Sequence, residues 1–408
     1  MSPHRRSLNP IRVLLTHANF RRFWVGQTLS LIGTWMQSMA LGWLALELSD
    51  SAFIVGLVAS IGSLPILLFS LYAGVVVDRS DKLRLVTIAQ TLLLLEAVLL
   101  WYLTWSGHIN IPTLLVLALV GGAIASVEIP ARQSLMIDLV GRDDLRDAIA
   151  LNSSGFNLAR IFGPAIAAAI IAKFGLAWCF GVNALSYLTV LIGLSRISLP
   201  PYTPVPALLS PLEGIREGLA YVLGDRRVRG LVEVVTVFSI LGIPYLSLMP
   251  VMAREMLGLG AGGFGVMLSA VGIGGLAGAL GLAAFAPRSR GRLLKYTSIL
   301  YAALLVALSF IRVPGLAYVL LLAVGCVMIV NNALANTLMQ SIVPDAFRGR
   351  LMAIYSLIVI GLPQVIGAFG AGAVARVFGV DAAIGGAAVL MLLYGWWAFR
   401  RYPEVTEL

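Results

Sequence analysis

Twelve apolar runs, each long enough to cross a bilayer, leave this chain almost no choice of fold. They lie at residues 23–46, 53–77, 85–105, 112–129, 148–172, 176–194, 231–251, 264–285, 293–310, 316–339, 351–377 and 382–399, numbered here as spans 1 to 12. A hydrocarbon core needs roughly 20 helical residues to cross it. Within it the backbone must satisfy its own hydrogen bonds, as helices do. The fold class expected is an all-α membrane protein. With 59% hydrophobic and only 12% charged residues, the chain departs far from soluble domains, which carry about 25% charge. Its 42 glycines suit helices that approach one another closely in lipid.

The runs fall into two sets of six around the one long connector, which carries Pro200, Pro201, Pro204, Pro206 and Pro211 before an amphipathic charged segment. The expected organisation is an N-terminal segment 1–22, a six-helix bundle 23–197, a linker 198–229, a second bundle 230–399 and a tail 400–408. An internal repeat supports the division independently of hydropathy. The stretch from Leu139 to Gly175 resembles that from Ile342 to Gly379, so spans 4 and 5 correspond to spans 10 and 11.

Orientation follows from Lys and Arg in the short loops. All fall at one face except Lys173, Arg254, Arg312 and Arg376 at the other and Arg160 within span 5. Both termini are therefore expected in the cytoplasm, and the first span, rather than a cleaved signal peptide, is expected to direct insertion. Topology accounts for the formal charge of +10, and no nucleic-acid partner is implied. Cys179 and Cys326 lie in apolar runs, and His4, His17 and His108 form no cluster, so neither disulfide nor metal is expected. Without a phosphate-binding loop the chain reads as neither an ATPase nor any other enzyme, and no cofactor is expected.

Polar residues inside a bilayer are costly, so their positions carry the functional signal. Span 1 places Gln27, Ser30, Thr34 and Gln37 on one helical face. Span 5 does so with Asn157, Arg160 and Pro164, and span 10 with Asn332, Asn336 and Gln340 beside Asn331. With Tyr245 of span 7, these residues either bind the helices together or line a water-filled substrate cavity. Arg160 is always charged and needs a partner. Glu128, at similar depth on span 4, is the expected one. Burial costs a charged carboxyl far more than a neutral one, so Glu96 in mid-span 3 and the Glu128–Arg160 pair are the proton-coupling candidates.

The loop between spans 2 and 3 reads Gly74-Val-Val-Val-Asp78-Arg79-Ser-Asp81-Lys82-Leu83-Arg84. It resembles G-x-x-x-D-R-x-x-R/K, a signature of the major facilitator superfamily of secondary transporters, with Asp81 where glycine is usual. Gly163-Pro164 within span 5 is similar to the antiporter motif of drug and metabolite exporters, with alanine replacing three of its glycines. Pro130-Ala-Arg132-Gln133 and Val343-Pro-Asp-Ala-Phe-Arg348-Gly349-Arg350 resemble the branch that includes the enterobactin exporter. The resemblance runs from Phe23 through span 12. It implies two six-helix pseudo-symmetric bundles, with spans 1, 4, 7 and 10 around a cavity in the bacterial inner membrane. It also implies proton-driven efflux of a hydrophobic or siderophore-like small molecule by a monomer. Asp78, with Arg79, Lys82, Arg84 and Arg132, would latch onto span 11 at the inner face. Uptake, uniport and a non-transporting receptor are the rival readings.

These rivals separate on one substitution. Asp78→Asn should abolish most flux in a transporter through a weakened latch, measured in reconstituted vesicles; a receptor of the same fold would tolerate it.

Overall fold

Caps and glycines set where each helix begins and ends. The Asp81 carboxylate accepts a hydrogen bond from the Arg84 amide at 3.0 Å and starts span 3, Lys82–Trp105. The unusual acid in the hinge motif is thus an N-cap. Asn110 does the same for span 4, Ile111–Val140, and Asp225 for span 7. Spans 4, 5 (Leu145–Phe174) and 11 end at Gly141, Gly175 and Gly379, with φ of 74°, 89° and 90°. A side chain is strained there and glycine is not. Gly175 and Gly379 are the matching ends of the internal repeat.

The computed structural model describes residues 10–199, 211–285 and 289–408, apart from the side chains at 10, 70, 71, 78, 211–215, 345, 346 and 348. Among these residues it contains 12 helices long and apolar enough to cross a membrane. The remaining spans are 1 (Ala18–Ser49), 2 (Ala52–Asp78), 6 (Ala177–Ser195), 8 (Ala261–Ala284), 9 (Arg290–Phe310), 10 (Pro314–Ile342) and 12 (Val380–Arg401). Span 7 is broken. It runs Arg226–Gly242, turns at Pro244, resumes at Tyr245–Val251 and finishes in a wider π turn at Met252–Met256. Span 11 has two such turns, Leu357–Gly361 and Pro363–Gly367, meeting at Pro363. Pro363 cannot donate to the preceding ladder.

Span 4 is longer than its apolar run. It continues through Pro130 to Val140, so Arg132, expected in a loop, stands on the helix. Its charge is tolerated because Glu128, one turn back, accepts its Nε–H at 2.8 Å. The linker also contains a helix, Pro211–Gly224, which docks on the start of span 11. Glu217 pairs with Arg350 at 2.7 Å, and the Tyr221 and Phe347 rings stack at 4.7 Å. Its prolines 200, 201, 204 and 206 lie outside the described residues.

The first six spans pack around span 1, which nestles against spans 5 and 6. The last six form a second bundle in which spans 8 and 10, 9 and 12, and 9 and 10 pair. Helices flanking the spans mark one membrane face. Pro10–Thr16 is followed by His17, whose Nε2 meets Asp144 at 2.8 Å before span 5, while Glu404 pairs with Arg226 at 3.1 Å before span 7. The linker helix lies at this same face, called the basic face below.

The two bundles touch toward the opposite face. Span 2 lies on span 11 so closely that a methyl group on Gly56 would strike the Ala368 carbonyl. Ser60 Oγ donates to Val365 O at 2.8 Å. Span 5 lies on span 8, where a Cβ on Gly265 would stand 2.7 Å from both Ala168 Cβ and Pro164 O. There Arg254, in the closing turn of span 7, forms an ion pair with Asp50 at the end of span 1. Toward the basic face Gly74, on the same stripe of span 2 as Gly56, has no atom within 4 Å of where a Cβ would stand. The joint is sealed at one end and, beside Gly74, splayed at the other.

Overpacking that seal should open it. Inserting side-chain bulk costs about 1–3 kcal/mol, so Gly56→Leu should raise thiol labelling of Ser60→Cys by roughly tenfold, with Cys179 and Cys326 replaced by alanine. Unchanged labelling would place the seal elsewhere.

Candidate functional site

The polar residues inside the bundles separate into those with partners in their own bundle and those without. Gln37 belongs to the first group. Its Nε2 donates to both Glu96 oxygens, at 3.3 and 3.1 Å, while its Oε1 accepts from Asn183 Nδ2 at 2.7 Å. Ser186 Oγ completes the cluster with a 3.0 Å bond to Asn183 Oδ1. Gly33 and Gly121 give it room, since a Cβ on Gly121 would stand 3.3 Å from Glu96 Oε1. The cluster ties spans 1, 3 and 6 together inside the first bundle. Gln37 is 9% exposed, so it does not face an open cavity, contrary to the reading of its helical stripe.

Asn331, expected in the substrate cavity, also bonds inside its own bundle. Its Nδ2 reaches Thr297 and Ser298 of span 9 at 3.3 and 2.7 Å, within the second bundle. Gln27 is buried in span 1, and its Oε1 has no partner among the described residues. Of that stripe Thr34 is exposed, its hydroxyl returned to the Ser30 carbonyl at 3.0 Å.

Glu128 does not pair with Arg160. Its Oε1 accepts from Arg132 Nε at 2.8 Å and from Gln90 Nε2 of span 3 at 3.0 Å. The i, i+4 spacing on a continuous helix puts acid and base on one face, so the longer span 4 supplies the partner that the sequence placed on span 5. Arg132 is held by this pair and not by span 11. Lys82 is likewise engaged locally, 3.1 Å from Asp138 at the end of span 4. Arg79 and Arg84 are exposed, Gly74 faces open space, and the Asp78 side chain lies outside the described residues.

Arg160 sits at the joint between bundles. Its Nη2 donates to Asn157 Oδ1 at 2.9 Å, one turn nearer the basic face. Its Nε is buried and has no hydrogen-bond partner, and among the described residues no carboxylate lies within ion-pair distance. The guanidinium reaches over to span 8, where a Cβ on Gly275 would stand 2.8 Å from Nη2 and 2.9 Å from Ile329 Cγ1 of span 10. Only glycine at 275 leaves that space. Pro164 of span 5 has no N–H for the Arg160 carbonyl, and Gly163 brings the helix within 2.6 Å of Trp35 Cβ, measured from its own Cβ position.

Facing Arg160 from the second bundle is Tyr245, just beyond the break in span 7, close enough to interact electrostatically. Its hydroxyl is buried and unpartnered, as is that of Tyr301 on span 9. Tyr301 lines a cavity of about 10 Å³ with Ser239, Asn331 and Asn332. Asn332 and Asn336 are half-buried on span 10. The Asn332 carbonyl accepts from Tyr355 at 3.0 Å, and Asn336 Oδ1 from Gln340 at 2.7 Å. Thus Arg160, Asn157, Tyr245, Asn332 and Asn336 are the expected residues found near the joint. Tyr301 and Gly275 were not expected, since a single tyrosine or glycine in an apolar helix carries no periodic signal. A larger recess of about 720 Å³, lined by Asp50, Glu255 and Arg376, lies outside the seal in the loops. Among the described residues no group of His, Cys, Asp and Glu is placed to hold a metal.

Comparison with known proteins agrees with this architecture. The family model described as "Transmembrane secretion effector" matches residues 8–407. The staphyloferrin A transporter of Staphylococcus aureus is 27% identical over 258 residues, 62% of this chain and 64% of that protein. The chain thus aligns with under two thirds of that relative's length. The enterobactin exporter EntS of Shigella flexneri is 25% identical over 351 residues, 85% of this chain and 82% of that protein. The nucleoside transporter NupG has a TM-score of 0.75 at 13% identity, covering 96% of this chain and 99% of its own. A bacterial homologue of the lysosomal transporter Spinster gives 0.76 at 13% identity, covering 98% and 99%. With its family model spanning almost every residue and its two six-helix bundles meeting at a polar joint, the chain belongs to the transmembrane secretion effector family of major facilitator transporters.

Proposed function

We propose that this transporter exports a siderophore-like small molecule from the cytoplasm, driven by proton antiport and alternating access. The observation that carries the reading is the joint between bundles: sealed toward one face, splayed toward the basic face, with polar groups from both bundles midway. Loading from the basic face and release from the other requires only that the bundles rock about that midplane. The Lys and Arg bias supports reading the basic face as cytoplasmic, and on that reading the splayed state is the loading state. The enterobactin exporter among the relatives favours outward transport, and the staphyloferrin A transporter a similar cargo.

Glu96 is the proton carrier in this reading. It is a buried carboxyl, 5% exposed, whose hydrogen-bond partner is the neutral Gln37 amide and not a cation. Protonation removes a charge without orphaning one. Glu128 differs, because neutralising it leaves Arg132 buried and unpaired, a loss of about 3–5 kcal/mol for pairs of this kind.

The experiment is flux in inside-out vesicles, whose lumen corresponds to the exterior. An acid lumen should drive cargo inward for an antiporter and should not for uptake or uniport. Glu96→Gln should abolish the pH dependence while shifting the detergent melting temperature little, whereas Glu128→Gln should lower it by several degrees. Full proton-driven flux in Glu96→Gln would remove Glu96 from the mechanism.

A further inference from the structure

We propose that Arg160 is the cargo-binding cation of this transporter, and that the cargo is an organic anion whose carboxylate or similarly acidic oxygens dock on the guanidinium. The proposal rests on the transport reading above and adds the chemical class of what is carried. The geometry supports it in three ways.

First, the charge is unanswered. Buried or half-buried cations in a bilayer pair with acids or with ladders of carbonyls. The obvious acid, Glu128, is already engaged by Arg132 and Gln90. Arg160 has one neutral acceptor, Asn157, and a buried Nε–H with none. Second, a neighbour is also short of partners. Tyr245 of the opposite bundle lies within electrostatic range of Arg160, and its buried hydroxyl has no partner among the described residues. Leaving a buried polar group without a partner costs about 1–3 kcal/mol, and an anion would accept from both groups. Third, the guanidinium is carried across to the other bundle. Glycine at 275 lets it lie against span 8, where a Cβ would stand 2.8 Å from Nη2. A planar fork suits bidentate contact with a carboxylate better than a point charge does.

Arg160 lies in the middle of Leu145–Phe174, about four helical turns from either membrane surface, so phospholipid headgroups at the surfaces are not its ligand. Its place on span 5 against span 8 of the other bundle also gives the anion a mechanical consequence. A single ligand bonded to Arg160 on one bundle and Tyr245 on the other bridges the two bodies that must rock.

The test needs neither the natural cargo nor a gradient, so its outcome is separate from that of the vesicle experiment. Purified full-length protein in detergent, in low-chloride buffer, is melted with citrate, succinate or salicylate, and with the neutral triethyl citrate and salicylamide as controls. At least one anion should raise the melting temperature in a saturable way and the neutral compounds should not. Arg160→Met should weaken that anion's binding roughly ten- to hundredfold, the loss of a charge-assisted hydrogen bond, while Arg160→Lys retains part of it. Without anion, Arg160→Met should melt at the same temperature as the parent or higher, because it removes an unpaired charge. A lower melting temperature would mean that Arg160 is a structural residue. Absence of any anion effect, or one that survives in Arg160→Met, would overturn the proposal.

Discussion

A hydrocarbon interior offers no water to a polar group, and everything in this fold follows from where the partners are found instead. The backbone answers itself within helices. Side chains have to answer one another, and here they do so mainly inside a bundle. Glu128 takes Arg132 and Gln90, Glu96 takes Gln37, and Asn331 takes Thr297 and Ser298. Arg160 differs: no carboxylate answers its charge among the described residues, and Tyr245, in electrostatic range across the joint, also lacks a partner. Single orphaned atoms such as Gln27 Oε1, Gln90 Oε1 and Trp101 Nε1 lie inside the first bundle as well, so it is the unpaired charge that marks the joint.

The same separation shapes the mechanics. Contacts between bundles are made by small residues whose backbones approach closely, Gly56 on Ala368 and Gly265 on Pro164 and Ala168, with few hydrogen bonds such as Ser60 to Val365. A hydrogen bond between membrane helices contributes about 0.6 kcal/mol on average, whereas breaking a buried ion pair costs about 3–5 kcal/mol. The joint is the weak surface and the bundles are the strong ones. Motion is then expected as rocking of two firm bodies, with the broken span 7 and the π turns of span 11 absorbing local bending. The two distortions touch, since Gly367 in the second π turn lies against Pro244, a Cβ there standing 2.5 Å from its ring.

Hydropathy, loop charge and the internal repeat made the twelve spans and their two sets legible, because length and apolarity alone decide what lipid accepts. The site was legible only in part. A helical stripe such as Gln27, Thr34 and Gln37 says which residues share a face and not what covers that face. Gln37 is covered by spans 3 and 6, and Thr34 three residues earlier is exposed. The Glu128 to Arg160 pairing failed for a different reason. The apolar run of span 4 ended near residue 129, so Arg132 was read as a loop residue, yet the helix continues to Val140 and supplies its own cation. Hydropathy marks the lipid boundary, and a helix can outrun it wherever its charges neutralise each other. Asp81, which departs from the family pattern, had a local reason visible only once its bond to the Arg84 amide was seen.

The distribution of charge also constrains how a proton and an anion could be coupled in the proposed cycle. In many exchangers both ligands could compete for one residue, but here Glu96 and Arg160 share no partner: one bonds Gln37, the other Asn157. What they share is span 1. Gln37 lies on it, and span 5 rests on it at Gly163, whose Cβ position is 2.6 Å from Trp35 Cβ. Glycine at 163 and glycine at 33, where a Cβ would strike Asn183 and Ser186, leave span 1 no slack against either neighbour. A change in the Glu96 cluster must therefore displace span 1 as a body or not be felt at span 5 at all. In the proposed cycle, coupling would run through the position of one tightly held helix, since the carboxyl and the guanidinium share no partner.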